Sequence, residues 1–367
     1  MVPHSPADDV SSPIVADGRL RELASGVDAL YLSVVAELPE GLLRRLDLWR
    51  AIAEAGQRPV PFELGGVKFG LAPHAWHRYR YLLQHEFGQV GISPSKHLPP
   101  IRIQPRGEFL HGLGPESTVD AFRTMLESEV PVAWMQVARL DLFADWQGWP
   151  VDGEPESSFV GRAKDVTLNS QRGRRTGFQF GRRRTGTIVG RIYDKTAEIA
   201  QSGHRWWFDL WGDRYVEGQP VWRVEFEFDR EGLHQFKLDS PEQVLAGVGG
   251  LWRYATEGWL THRAASRDQT HSRWRVSPAW TQVQHASLRD DDVGLNRCLD
   301  RKQEAKLEAL VPVLRGCFTS AAAHWGADGI DDGLACLNRY LHEWEGLTGH
   351  TVAGAIALKR RNWGWGV

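Results

Sequence analysis

The pattern of apolar and polar positions changes character along the chain. Up to about residue 240 many segments alternate apolar with polar residues, the period of a strand with one buried face. Beyond it apolar residues recur at helical spacing, as in 251–262, 302–314 and 333–345. VDALYLSVVAEL (27–38) predicts a first strand, stopped by Pro39, and Leu42, Leu46, Trp49 and Ala53 then mark a helix running to Gly56. PVPFELGGVKFGL predicts a hairpin about Gly65-Gly66, and residues 74–87 a helix. Residues 101–114 predict a strand or strand pair interrupted by Pro105 and Gly107. Ser117, with Asp120 three residues on, predicts a helix cap, followed by a helical face of Val119, Phe122, Leu126 and Val130.

Three strands stand apart: VARLDLFAD (137–145), TIVGRIYDK (187–195) and VWRVEFEFD (221–229). Strand parity puts Leu140, Leu142, Ala144, Ile192, Val224, Phe226 and Phe228 on apolar faces. It puts Arg139, Asp141, Asp145, Arg191, Tyr193, Lys195, Arg223, Glu225 and Glu227 on the opposite ones. If these strands are neighbours, one sheet face presents carboxylates, cations and a tyrosine hydroxyl together. The fold class expected is α+β. A leader (1–20) precedes an antiparallel-sheet domain (21–240) and a helical C-terminal region (241–367).

The chain has 367 residues and a formal net charge of −2, so any attraction to a polyanion must be local. It is. From Gly161 to Lys195 ten Lys and Arg face only Asp165 and Asp194, about +8 in a nearly neutral protein. GFQFG and TIVGRIYDK read as a hairpin that holds Arg182, Arg183 and Arg184 at its tip, with Arg174 and Arg175 close by. Cys298, Cys317 and Cys336 lack metal-ligand spacing and read as thiols of a reducing cytoplasm. The N-terminus has no signal-peptide pattern, and no apolar run is long enough to cross a membrane.

The polar face suits metal-assisted phosphoryl transfer with tyrosine as nucleophile. Carboxylate oxygens are the hard ligands that Mg²⁺ or Mn²⁺ prefers, and such an ion polarises a phosphodiester. A tyrosine hydroxyl, of reference pKa about 10, needs a nearby cation or metal to become a nucleophile. Arg191 and Lys195, two residues to either side of Tyr193, supply that charge. The plainer reading is a solvated strand face with cross-strand ion pairs, and the basic tip as ordinary surface. His74 and His77 have HxxH spacing but no third ligand nearby, and no phosphate-binding loop or nucleophile elbow is present.

RLDLFAD, FGRRRTGTIVGRIYDK and WRVEFEFD, in that order, resemble the replication initiation factor family: Rep_trans-type rolling-circle initiators of plasmids and phages, with related conjugative relaxases. The resemblance covers roughly residues 25–240. It implies a fold like that of the His-hydrophobic-His endonucleases, with carboxylates in place of the paired histidines. It implies nicking of origin DNA, single-stranded or in a hairpin, by a tyrosine that stays linked to the 5′ phosphate. Carried over, the nucleophile is Tyr193, with Lys195 in the same motif; the metal carboxylates are Asp141 and Glu225, then Asp145 and Glu227. The familiar motif often has Asn where this chain has Asp194.

The leading expectation is therefore a cytoplasmic, metal-dependent DNA nicking–joining enzyme that starts rolling-circle replication. The alternatives are a conjugative relaxase of identical chemistry, a regulator that binds without cutting, and a hydrolytic nuclease with a structural Tyr193. Arg182, Arg183 and Arg184 are expected on phosphates. The helical region and the tail residues Trp363 and Trp365 are candidates for sequence choice. A host helicase and a second copy of the chain are the further partners considered.

Overall fold

A computed structural model describes residues 20–183, 185–289, 315, 318–348 and 351–362. The leader, Arg184, Cys298, Cys317, the stretch 302–314 and the tail tryptophans lie outside the described residues. The chain forms two compact units, 1–303 and 304–367.

In the first unit the strands are β1 (Arg21–Ala36), β2 (Val60–Leu64), β3 (Val67–Leu71), β4 (Tyr81–His85), β5 (Gly88–Ile92), β6 (Ile101–Pro105) and β7 (Val132–Gln147). Then follow β8 (Phe159–Gly161), β9 (Val166–Gln171), β10 (Arg174–Phe180), β11 (Ile188–Asp194), β12 (Trp222–Asp229) and β13 (Leu260–His262). Eleven of them make one antiparallel sheet in the order β2-β3-β4-β5-β6-β1-β7-β12-β11-β10-β9. β8 and β13 pair separately. The class is α+β, with a large antiparallel sheet and a helical C-terminal region.

The three marked strands are β7, β12 and β11, and they are adjacent. Their apolar faces merge into one core in which Leu140, Leu142, Val224, Phe226, Phe228 and Ile192 are fully buried. Helices after residue 240 cover that face: α7 (Pro241–Ala246), α8 (Val248–Arg253) and α9 (Pro278–Gln284), which follow α1 (Glu40–Gly56), α2 (Gly107–Leu113), α3 (Pro115–Glu127), α4 (Lys195–Ser202), α5 (Trp206–Trp211) and α6 (Arg230–Gln235). Trp252 and Trp259 meet the ring of Phe226 edge-on, at 5.6 and 6.0 Å between centroids, and Trp280 is buried with them. An apolar sheet face must be covered, and these helices cover it. The helical stretch 241–289, expected to open a separate region, packs within the same compact unit as the sheet.

Local expectations differ in three places. Residues 74–87, expected helical, form a turn closed by a Trp76–Tyr79 bridge and then β4 and the start of the β4–β5 hairpin. The spacing of Trp76, Tyr79 and Phe87 imitates a helix, but Tyr81, Leu82 and Leu83 are buried in succession, as a strand allows when both its faces are covered. Residues 107–113, expected in a strand, form α2. The cap of α3 is Gly114 with Pro115 behind it, not Ser117.

In the second unit the helix Ile330–Thr348 exposes Leu334, Tyr340 and Trp344, and Cys336 is half-buried. No helix among the described residues is long and apolar enough to cross a membrane.

Candidate active site

Register brings the polar face together row by row. Tyr193 lies opposite Arg223, which lies opposite Asp145; Arg191 lies opposite Glu225; Glu227 lies opposite Asp141. Side chains opposite one another on neighbouring strands stand within reach, so three sequence-distant segments become one cluster. An open pocket of about 900 Å³ lies over it, lined by Arg139, Asp141, Arg183, Arg191, Tyr193, Lys195 and Glu225, among others. That volume is in the upper range for ligand-binding clefts.

The Tyr193 hydroxyl donates to Glu225 Oε2 at 2.8 Å. Burial and the Glu225 carboxylate hold its pKa well above that of an ordinary phenol, so at neutral pH it carries its proton. Immediately after it the chain turns from β11 into α4. Asp194 Oδ1 caps that helix by accepting from the Ala197 amide at 3.0 Å. Asn caps a helix as well as Asp does, so the departure from the familiar motif is one that this position tolerates. The cap fixes Lys195 as the first helical residue, with Nζ 4.7 Å from the Trp207 ring centroid and 2.6 Å from Glu198 Oε2. Burial and the charge of Arg223 lower the Lys195 pKa.

The carboxylates form two groups. In the first, Asp141 is bonded by Arg139 through Nε at 2.7 Å and by Arg191 Nη2 at 3.3 Å. Arg191 Nη2 also bonds Glu225 and stands 3.7 Å from Glu227. Glu227 Oε2 further takes Arg139 and Arg183, each at 3.0 Å. Burial and the neighbouring Glu225 push the Asp141 pKa up to about 7, against the pull of Arg139. In the second group, Asp145 and Arg223 are completely buried and doubly bonded, at 2.7 and 2.8 Å. Trp211 Nε1 donates to Asp145 Oδ2 at 2.9 Å. Arg223 also bonds Asp28 Oδ1 at 2.7 Å and lies between the rings of Phe143 and Trp207, about 4 Å from each centroid. Burial works against the Asp28 charge, but Arg223 and His111 hold its carboxyl well below the usual range.

Asp145, expected among the metal carboxylates, accepts bonds on both its oxygens, from Arg223 and Trp211, and its contacts are those of a buried support beneath Tyr193. Asp141, Glu225 and Glu227 have the hard-oxygen chemistry of a Mg²⁺ or Mn²⁺ site, gathered about one point. That point is held by the Arg191 guanidinium, and among the described residues no group of three or more ligating side chains stands in metal-binding geometry.

The expected DNA-contacting arginines separate. Arg183 reaches into the site through Glu227, whereas Arg182 is exposed and paired with Asp165 at 3.0 Å. Arg174 pairs with Asp152 at 3.2 Å and approaches Asp194 at 3.6 Å; Arg175 bonds the Glu154 carbonyl. Sequence reasoning passed over Asp28, although a lone acid inside the apolar run VDALYLSVV was the available signal. Trp207 and Trp211 gave no signal, because nothing local distinguishes them from core tryptophans.

No family model matches the chain, and no curated protein does. Among solved structures, the fold is similar to that of a rolling circle replication initiator protein from Geobacillus stearothermophilus. That likeness covers 73% of this chain and 96% of that one, with a TM-score of 0.42 and 13% identity. At that level nothing about chemistry transfers from one to the other.

Proposed function

We propose that the chain is a DNA nicking–joining enzyme that forms a covalent tyrosyl–phosphate link through Tyr193 and serves to start rolling-circle replication. The observation that carries this is the 2.8 Å hydrogen bond from Tyr193 to Glu225, in a pocket walled by Arg191, Arg183 and Lys195. As the phenol oxygen attacks phosphorus its proton passes to Glu225, so no free phenolate accumulates despite the raised pKa. The bond to the 3′ oxygen breaks, and that oxygen takes up a proton, for which the buried Lys195 ammonium with its lowered pKa is the suited donor. The 5′ phosphate stays on Tyr193. One phosphodiester replaces another, so the bond energy is retained and a 3′ hydroxyl can reverse the step. Arg191 and Arg183 face the phosphoryl oxygens, where charge develops.

A divalent cation, Mg²⁺ or Mn²⁺, belongs to this reading. Asp141, Glu225 and Glu227 would hold it once Arg191 yields, and when bound it would polarise the phosphodiester.

The test uses purified full-length chain, Mn²⁺ and single-stranded oligonucleotides tiling the DNA around its own gene. The expected result is a protein–DNA adduct that survives a denaturing gel and disappears in Tyr193→Phe while the variant still unfolds at the same temperature. Cleavage without an adduct, untouched by that substitution, would show hydrolysis; binding without cleavage on every tile would show a regulator.

A further inference from the structure

The polar face does not end at the catalytic strands. β1 continues it with Tyr31, opposite Arg139; β6 with Gln104 and Arg102; β5 with Gln89, opposite Gln104, and with Gly91, opposite Arg102. The Arg102 guanidinium lies between two rings, 5.7 Å from the Tyr31 centroid and 5.4 Å from that of Trp76. On its other side Tyr31 meets Arg139 at 5.1 Å. Aromatic and cationic groups thus alternate from Trp76 to Arg139, which bonds Asp141 in the site. Gly91 makes this possible: a Cβ there would stand 2.8 Å from the Trp76 ring and 2.9 Å from that of Tyr79. The Trp76 ring therefore lies down on bare backbone.

Ordinary cross-strand stabilisation would account for one such pair. It does not account for the row as a whole. Trp76, Arg102, Tyr31, Gln104 and Gln89 are all only half-buried, and the last three open into the same pocket as Tyr193. Gln104 donates to the Tyr31 hydroxyl at 2.8 Å, leaving that amide's oxygen for a ligand. Arg102 Nε is buried with no hydrogen-bond partner, and none of these five residues is acidic. Planar rings, a guanidinium and amides in one row are the groups that hold unpaired bases and their phosphates.

We propose that this row is a track for single-stranded DNA on one side of the bond that Tyr193 cuts, with bases stacking on Tyr31 and Trp76 and a phosphate on Arg102. It rests on the nicking reading for its substrate, and it gives that reading a route for the strand that does not depend on the arginine tip. From β11 to β6 is four strand spacings, about 19 Å, the length of at most about six stacked nucleotides.

The experiment measures fluorescence anisotropy of the tiled oligonucleotides, shortened from either end, on the full-length Tyr193→Phe chain. Trp76→Ala and Arg102→Gln are added singly, with thermal unfolding as a check on the fold; wild-type adduct formation is scored in parallel. Each added substitution is expected to weaken binding roughly tenfold when the oligonucleotide extends on one particular side, and the difference should vanish when that side is trimmed to the nick. Binding unchanged at every length in both folded variants would overturn the track whatever the adduct assay shows. An equal loss with a duplex of the same sequence would overturn its single-strand assignment. Length-dependent losses in a protein that forms no adduct would keep the track and sink the nicking reading.

Discussion

Removing the Asp145 carboxylate separates a structural role from a metal-binding one. Asp145→Ala deletes two bonds from Arg223, at 2.7 and 2.8 Å, and one from Trp211, at 2.9 Å. It leaves a completely buried guanidinium with Asp28 as its remaining carboxylate partner, between two aromatic rings. Charged hydrogen bonds contribute about 1.5–3 kcal/mol each, but these three act as one unit and do not add. Breaking a buried ion pair by removing one partner costs about 3–5 kcal/mol, and that is the expected loss. Against a whole-domain stability of about 5–15 kcal/mol it is large. Urea unfolding with and without Mn²⁺ and EDTA reads it: the loss should be equal in all three conditions. Asp145→Leu with Arg223→Met and Asp28→Asn should be less damaging than Asp145→Ala alone, since the buried charges that face one another then go together. A variant within about 0.5 kcal/mol of wild type that no longer binds Mn²⁺ would refute the argument and restore Asp145 as a ligand.

Two further outcomes follow from the same cluster. Asp28 is held below the ordinary carboxylate pKa of about 3.9, so the stability it contributes is present above that value and is lost as pH falls. Urea midpoints from pH 6 to pH 3 should therefore drop less steeply in Asp28→Asn than in wild type; parallel slopes would mean that the Arg223 contact does not set its charge. Arg191 Nη2 stands among Asp141, Glu225 and Glu227, so Arg191→Gln should tighten Mn²⁺ binding at least about tenfold, the equivalent of one competing charged hydrogen bond. Electron paramagnetic resonance titration measures it, and an affinity that is unchanged or weaker would place the ion elsewhere.

What the sequence made legible follows from the rules it was read by. Period-two alternation located β7, β11 and β12 and sorted their side chains to the correct faces, because parity along a strand is fixed by backbone geometry alone; Lys195, read as the last outward residue of β11, instead opens α4. The adjacency of those strands was a supposition that pairing turned into fact. Parity could not distinguish Asp141 from Asp145, four residues apart on one face. What separates them is depth: α5 places Trp211 over Asp145, and Phe143 and Trp207 close about its partner Arg223, whereas Asp141 looks into the open pocket. That difference arises from packing between segments more than 60 residues apart. The helices after 240 show the same limit: their spacing revealed a buried face but not the sheet it covers. The turn before β4 shows the converse. There the aromatic spacing imitated a helix, because Trp76 and Tyr79 are placed by a glycine on β5, which no local pattern records.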